Sequence, residues 1–92
     1  MITRIVKLHL QPEAISEFYS IFNDYKPKIE QTNGCIKLNI HQEVNQPNLI
    51  FTISIWEDEQ SLETYRNSDL FYNIWKKVKP LFKDKAEAWS LS

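Results

Sequence analysis

The chain has 92 residues, of which 42% are hydrophobic, 25% charged and 13% aromatic, with a formal net charge of −1. That length supports a single domain spanning residues 1–92, with a small core whose area comes largely from aromatic side chains. The near-neutral charge excludes the overall basic character of proteins that bind nucleic acids or anionic membranes. The single cysteine excludes a disulfide framework, and the single glycine excludes a glycine-rich phosphate-binding loop.

Neither a signal peptide nor a membrane span is predicted. The first ten residues carry Arg4 and Lys7 within an apolar stretch and have no small-residue cleavage site. No stretch approaches the roughly 20 apolar residues of a transmembrane helix. We therefore expect a cytoplasmic protein with no nucleic-acid or membrane partner, in which Cys35 is a free thiol.

The first third of the chain predicts a strand followed by a helix. Residues 2–10 alternate in polarity, and the following residues share one face: Ile2, Val6, Leu8 and Leu10. Pro12 suits the first turn of a helix. The apolar stripe of that helix consists of Ile15, Phe18, Tyr19 and Phe22. Pro27 is expected to kink or end the helix near Tyr25, although a last turn could carry Ile29.

The middle of the chain predicts a pair of strands. Asn33-Gly34 is the clearest turn signal. Residues 35–44 alternate again, with Ile36, Leu38, Ile40 and Val44 facing one way. Residues 45–48 are a hairpin loop, and residues 49–56 have the β-branched and aromatic composition of a strand buried on both faces.

Two helical segments and a strand complete the order of elements. Asp58 is the capping candidate for a helix that contains Leu62 and Tyr65, and Ser68 or Asp69 caps the next segment. The apolar face of that segment consists of Phe71, Ile74, Trp75, Val78 and Phe82. Residues 85–92 alternate as a last strand.

This order predicts an α+β fold, a ferredoxin-like β-α-β-β-α-β sandwich with a four-stranded antiparallel sheet and the helices on one face. The other sheet face, which includes Ile5, has no element in this chain to cover it. A partly apolar bare face is an interaction surface, and its least costly partner is a second copy. We expect a homodimer whose two sheets pack face to face.

No metal site is predicted. His9 and His41 fall on strands that are not adjacent in such a sheet, whereas a catalytic zinc usually has three convergent protein ligands. The serines fit no nucleophile-elbow pattern, and nothing local lowers the pKa of Cys35. The acidic run 57–59 and the lysines of 76–85 are interpreted as solvated helix surfaces.

Aromatic side chains of the predicted helices converge on one face of the sheet. They are Phe18, Tyr19, Phe22, Tyr65, Phe71, Trp75 and Phe82. They form either a solid core or the wall of an apolar pocket, and the sequence leaves both alternatives open. A buried Tyr or Trp needs a partner for its polar group, so Tyr65 and Trp75 indicate a cavity with polar contacts.

Several short motifs between residues 33 and 71 point to one family. They are Asn33-Gly34-Cys35, Pro47 before the third strand, the run 55–62 (IWEDEQSL), and Ser68-Asp69-Leu70-Phe71 as a Ser-x-x-Phe element. In these motifs and in element order the chain resembles the antibiotic biosynthesis monooxygenase (ABM) family of dimeric α+β barrels. The resemblance implies a face-to-face dimer with a pocket in each subunit. It also implies a cofactor-independent monooxygenase, without metal or flavin, of a small quinol or polyketide-like aromatic.

The resemblance suggests roles for residues of this pocket. Tyr65 would orient or deprotonate the substrate hydroxyl, and Trp75 would stack on the ring together with Phe71. Arg4, on the helix-facing side of the first strand, would stabilise an anion, unless it is an ordinary charge extended to solvent. The predicted pocket wall is Val6, Phe18, Phe22, Phe71 and Tyr72.

The chain departs from the pattern of the haem-degrading branch of the family at several positions. The haem-degrading branch has an axial histidine where this chain has Trp75, and an indole does not ligate iron as imidazole does. That branch also has an asparagine at the position of Val6 and a tryptophan at that of Tyr65, so haem degradation is not expected. Many members have a histidine where Tyr65 stands. The alternative is therefore a non-catalytic small-molecule-binding or regulatory protein of the same fold.

Overall fold

A computed structural model describes all 92 residues as a four-stranded sheet with three α-helices. The strands are β1 (Ile2–His9), β2 (Cys35–Gln42), β3 (Leu49–Trp56) and β4 (Glu87–Leu91), and the helices are α1 (Ile15–Glu30), α2 (Glu59–Arg66) and α3 (Asp69–Val78). Short 3-10 turns at Pro12–Ala14 and Lys79–Leu81 adjoin α1 and α3. The predicted α+β ferredoxin-like fold is confirmed. None of the helices has the length and apolar character that crossing a membrane requires.

The sheet has the strand order β2-β3-β1-β4, with every neighbouring pair antiparallel. In this register Val6 lies between Thr52 and Ala88, and Arg4 lies between Ser54 and Ser90. Because side chains alternate along a strand, these residues share the sheet face covered by the helices, which we call the inner face.

The opposite face, which we call the open face, has no helix against it. A row across its middle consists of Asn39, Ile53, Ile5 and Trp89. Trp89 is 44% exposed and Leu91 48% exposed, although both are large apolar residues. The prediction that one sheet face lacks cover within the chain therefore agrees with the arrangement of elements.

Helix α1 runs through Pro27, so the predicted end near Tyr25 was wrong, whereas the last turn that was expected to carry Ile29 is present. Pro27 removes the N–H that would bond to the carbonyl of Asn23, but both residues are exposed, so water can satisfy that carbonyl. Ile29, only 3% exposed, secures the last turn against the core. The free energy gained by burying Ile29 offsets the cost of the proline.

The start of β2 differs from the simple alternation of the sequence. The register shifts between Cys35 and Lys37, so a bulge turns Ile36 outward and leaves it 51% exposed. Cys35 instead packs against the core, on the side opposite to His41. Val44 lies beyond the strand and is 91% exposed. The predicted inward positions of Ile36 and Val44 were therefore wrong, whereas that of Leu38 is confirmed.

Local capping defines both short helices, as the sequence predicts. The side chain of Asp58 accepts a 2.7 Å hydrogen bond from the backbone N–H of Ser61. That bond lowers the pKa of Asp58. The hydroxyl of Ser68 accepts a 3.2 Å bond from the N–H of Phe71. These caps fix where α2 and α3 begin, and hence how their side chains meet the sheet.

Gly34 is the residue on which the turn into β2 depends. Its φ of +87° lies in the left-handed region, and a Cβ atom at this position would overlap Cβ and Oγ of Ser61. Its carbonyl also accepts a 2.9 Å hydrogen bond from the N–H of Glu57, which holds the turn against the end of β3.

We expect Gly34→Ala to lower the free energy of unfolding by at least about 1–2 kcal/mol, because the backbone strain is added to the clash. The double variant Gly34→Ala/Ser61→Gly should recover the clash component alone, and Asn33→Ala is the control for an adjacent turn position. Chemical denaturation measures all four proteins. Equal stability of Gly34→Ala and wild type would contradict this account of the turn.

Candidate functional site

A cavity of about 320 Å³ lies between the inner face of the sheet and the helices. Fifteen of its 19 lining residues are hydrophobic. The volume is at the small end of the range of about 300–1,000 Å³ for small-molecule sites. Of the two alternatives left open by the sequence, the pocket rather than the solid core agrees with the structure.

The cavity exists because the part of the sheet beneath it carries small side chains. Thr52 and Ser54 on β3 stand where the rest of that strand is large and apolar, and Ala86 and Ala88 line the side next to β4. Val6 lies between the two sets. Helices that rest on larger neighbours cannot collapse onto these positions, so space remains above them.

A chain of aromatic rings in contact runs from the sheet to the helices, and every ring of it except that of Phe82 lines the cavity. Trp56 stacks on Tyr65 with centroids 5.0 Å apart, and Tyr65 meets the edge of Phe71 at 5.2 Å. Phe71 lies 5.7 Å from Trp75, which meets Phe82 at 5.4 Å. Such contacts hold the rings in place, and they link the end of β3 to both short helices.

Polar groups enter this apolar space at few points. The indole N–H of Trp56 donates to Ser54 Oγ at 2.9 Å and is therefore already satisfied. The hydroxyl of Tyr65 forms no hydrogen bond within the protein. Every polar side-chain atom that is fully buried does have a hydrogen-bond partner, so the Tyr65 oxygen is not fully buried. This oxygen is consequently accessible through the cavity. Burial, reinforced by the nearby Cys35, raises the pKa of Tyr65 well above its ordinary value.

Two arginines supply positive charge to the cavity. Arg4 donates to Ser90 Oγ at 3.0 Å and forms no ion pair with a carboxylate. Burial lowers the pKa of Arg4, and the positive charge of Arg66 lowers it further. Arg66 itself lies 3.4 Å from Glu63, one turn earlier on α2. The carboxylate of Glu63 acts in the opposite direction and raises the pKa of Arg4. Arg4 is thus a partly exposed cation without a direct ion pair, and an anion in the cavity would give it one.

The family model of the antibiotic biosynthesis monooxygenases matches residues 1–77. The chain belongs to the antibiotic biosynthesis monooxygenase family. The resemblance in the motifs of residues 33–71 is therefore confirmed. A comparison with curated proteins finds no match.

Solved structures share the fold along nearly the whole chain. A conserved protein from Methanosarcina mazei is 25% identical with a TM-score of 0.92, covering 99% of this chain and 91% of that one. A structure described as an antibiotic biosynthesis monooxygenase is 16% identical, with a TM-score of 0.93 and coverage of 100% and 97%. Rv0793 from Mycobacterium tuberculosis is 14% identical, with a TM-score of 0.90 and coverage of 99% and 92%. Identities of 14% and 16% establish the architecture alone.

In this ABM domain the cavity brings together seven of the eight residues singled out from the sequence. They are Arg4, Val6, Phe18, Phe22, Tyr65, Phe71 and Trp75. Tyr72 is the exception, because it is 64% exposed and does not line the cavity. One helical position turns a side chain by about 100°, so Tyr72 points outward when Phe71 points inward. The chemical roles of the seven stay predictions.

Sequence reasoning missed twelve of the 19 lining residues of the ABM cavity, and four of these carry polar side-chain groups: Thr52, Ser54, Trp56 and Arg66. Arg66 directly follows Tyr65 at the end of α2, where a basic residue is readily explained by the helix dipole. Ser54 and Trp56 belong to the strand whose apolar composition suggested burial on both faces. The signal was the interruption of that apolar run by Thr52 and Ser54 at alternate positions, which places two small polar side chains on one face.

The histidines lie away from the cavity. His9 Nδ1 is 2.7 Å from Asp84 Oδ2 at the edge of the open face, and His41 is exposed on β2. Cys35 approaches the cavity side instead, and burial raises the pKa of its thiol.

The buried phenol of Tyr65 predicts a specific pH dependence of stability. In the unfolded chain this group loses its proton near pH 10.0, its ordinary pKa, whereas the folded protein retains it. Above that pH the unfolded state binds fewer protons, so the free energy of unfolding falls as pH rises, by up to about 1.4 kcal/mol per pH unit. Tyr65→Phe should remove this contribution. Urea denaturation between about pH 9 and 11 compares the two slopes, and parallel slopes would show that Tyr65 is not protected.

Proposed function

We propose that this ABM domain is a cofactor-independent monooxygenase of a small hydroxylated aromatic, such as a quinol, bound in the cavity between sheet and helices. The observation that carries the proposal is an aromatic cavity into which Tyr65 presents a free hydroxyl and Arg4 an unpaired cation. An apolar site with a few convergent polar groups is the usual form of a small-molecule site. Its volume of about 320 Å³ suits a substrate of a few rings.

The proposed reaction needs no electron source besides the substrate. The aromatic hydroxyl gives up its proton, and the electron-rich anion transfers electrons to O₂. One oxygen atom forms a bond to a ring carbon and the other leaves as water. The four electrons that reduce O₂ come from the substrate, which is converted, for example, from a hydroquinone to a hydroxyquinone.

Tyr65 acts in this scheme as a hydrogen-bond donor. Its raised pKa keeps the phenol protonated at neutral pH, so it cannot take the substrate proton. It can donate to the oxygen that becomes negative, and such a bond is stronger when the acceptor is charged. Of the two roles considered for Tyr65, orientation of the substrate is the one that its environment supports.

Arg4 stabilises the substrate anion. No carboxylate, imidazole or amine lines the cavity, so no side chain there is an evident base at neutral pH. A nearby cation lowers the pKa of a phenol, and the effect grows where water is excluded. The substrate proton can then pass to water at the cavity mouth. Trp75 and Phe71 stack against the ring and exclude solvent from the reactive anion.

The lack of a base among the cavity side chains also supports a second candidate function. A non-catalytic dimer that binds or senses a small aromatic would need the cavity and its donors but no proton acceptor. Only turnover distinguishes the two functions.

Oxygen consumption tests the enzyme proposal. Purified protein is incubated with a panel of hydroquinones and anthrones in a closed O₂ electrode, with product identified by mass spectrometry. We expect turnover that falls at least about tenfold in Tyr65→Phe and further in Tyr65→Phe/Trp75→Phe, since one donor to a developing anion is worth that much or more.

Tyr19→Phe is the matched control, because Tyr19 is half-buried on α1 but does not line the cavity. It should retain the wild-type rate. If wild type consumes no more O₂ than the double variant, with ligands still bound, the binding function replaces the enzymatic one.

We also infer that the protein is a homodimer joined through the open face. Members of the ABM family are typically dimeric. The open face carries Ile5, Ile53 and Trp89 side by side in its central row. Lys7 and Glu87, 3.6 Å apart, form part of the adjoining row. An apolar centre beside paired charges is typical of an interface between identical subunits.

Light scattering should give a mass twice the 11.0 kDa of the chain at micromolar concentration. Ile53→Lys should yield the monomer, because it places a charge at the centre of the buried row. Val44→Lys is the control, since Val44 is 91% exposed and lies beyond the end of β2. A monomeric wild type would refute the homodimer.

A further inference from the structure

A second concave surface adjoins the cavity, and we call it the outer groove. Its apolar side consists of Phe71, Tyr72 and Trp75, and its charged side consists of Arg66, Lys76 and Lys79. Arg66, Phe71 and Trp75 belong to the walls of both spaces. The two spaces therefore adjoin along these three residues, which is the side where a substituent of a cavity-bound ring would reach the groove.

All of the charged side chains that line the outer groove are positive. Three cationic side chains and no carboxylate line it. None of the four ion pairs in the structure includes Lys76 or Lys79, and only Arg66 has an acidic neighbour, Glu63 at 3.4 Å. Positive side chains that line one groove repel one another, most of all Lys76 and Lys79, which have no ion-pair partner, and a bound anion would relieve that repulsion.

The neighbouring Lys77 shows that this arrangement is not shared by every lysine of α3. Its amine lies 5.1 Å from the ring centre of Tyr25, on the side facing α1. Lys76 and Lys79 instead follow Tyr72 at helical spacings of four and seven residues, which places all three on one side of the helix. The chain thus presents two unpaired lysines beside the aromatic residues of the groove.

We propose that the ligand of the cavity is an acidic aromatic: its ring occupies the cavity and an anionic substituent, a carboxylate or a phosphate ester, binds Arg66, Lys76 and Lys79 in the outer groove. This inference rests on the proposed function insofar as the cavity is the ring-binding site. It adds the charge of the substrate and the residues that select for it. Arg66 offers a planar pair of donors suited to either anion, and the lysines add positive charge around it.

Binding of matched ligands tests the proposal. The probes are 6-hydroxy-2-naphthoate, 2-naphthyl phosphate and the uncharged 2-naphthol, followed by quenching of tryptophan fluorescence, because Trp56 and Trp75 line the cavity. We expect at least one anionic probe to bind about tenfold or more tightly than naphthol, as charge-assisted hydrogen bonds imply. The tighter of the two anionic probes identifies the substituent as carboxylate or phosphate.

Substitutions in the groove show which side chains cause the preference for the anionic probes over naphthol. Lys76→Gln/Lys79→Gln should reduce it several-fold while leaving naphthol affinity unchanged, because neither lysine lines the cavity. Arg66→Gln should weaken the anionic probes more than naphthol, and Arg66→Lys should restore part of the preference. Lys85→Gln removes an exposed charge outside the groove and should have no effect. Raising the salt concentration from about 0.05 M to about 0.5 M should also weaken the preference, because groove charges exposed to water are screened.

The outcomes separate this inference from the proposed reaction. Naphthol binding as tightly as both anionic probes, or a preference unchanged in the Arg66 and lysine variants, overturns the acidic ligand and leaves the cavity as an aromatic site. A preference that depends on Arg66 supports it even if no O₂ is consumed. Failure of all three probes to bind overturns it.

Discussion

The structure depends on a difference in side-chain size across the inner face of the sheet. Large residues such as Leu8, Ile50 and Trp56 support the helices, whereas Thr52 and Ser54 between them are too small to reach the same height. Because the helices rest on the large residues, the space above the small ones stays open. Protein interiors otherwise pack densely, so an opening of this size reflects the small side chains of Thr52 and Ser54 together with those of Ala86 and Ala88 beside them.

That opening determines the electrostatics of the site. Its apolar lining surrounds the hydroxyl of Tyr65, which therefore acts at an effective dielectric constant below that of water, whereas Arg4 is partly exposed to solvent. The same burial that raises the pKa of Tyr65 lowers that of Arg4. Both shifts have desolvation as the largest cause, and both leave a group whose interactions would improve beside an oxygen anion. The donor and the cation are therefore both suited to an oxygen anion, such as the phenolate of the proposed reaction.

The order and type of elements followed from the sequence because each was encoded locally. The β-branched and aromatic composition of residues 49–56 predicted β3, and Asp58 and Ser68 marked the starts of α2 and α3. The bulge at Ile36 and the passage of α1 through Pro27 could not be predicted in that way, since both are set by contacts with distant parts of the chain.

Tyr65, Trp75 and Arg4 were found because their side chains are chemically conspicuous. Arg66 was missed because its position in the cavity depends on how α2 lies against the sheet.

The register of β1 determines which residues lie on the inner face of the sheet and which lie on the open face. Arg4 and Val6 point into the cavity, while Ile5 between them belongs to the open face. A shift of β1 by one residue relative to β3 would exchange these sets, placing Ile5 under the helices and a guanidinium on the apolar surface. The requirement that Ile5, Ile53 and Trp89 share the open face thus also holds Arg4 beside Ser54 and Ser90. A partner packed on that face would fix the register more strongly, and with it the position of Arg4 beside the cavity.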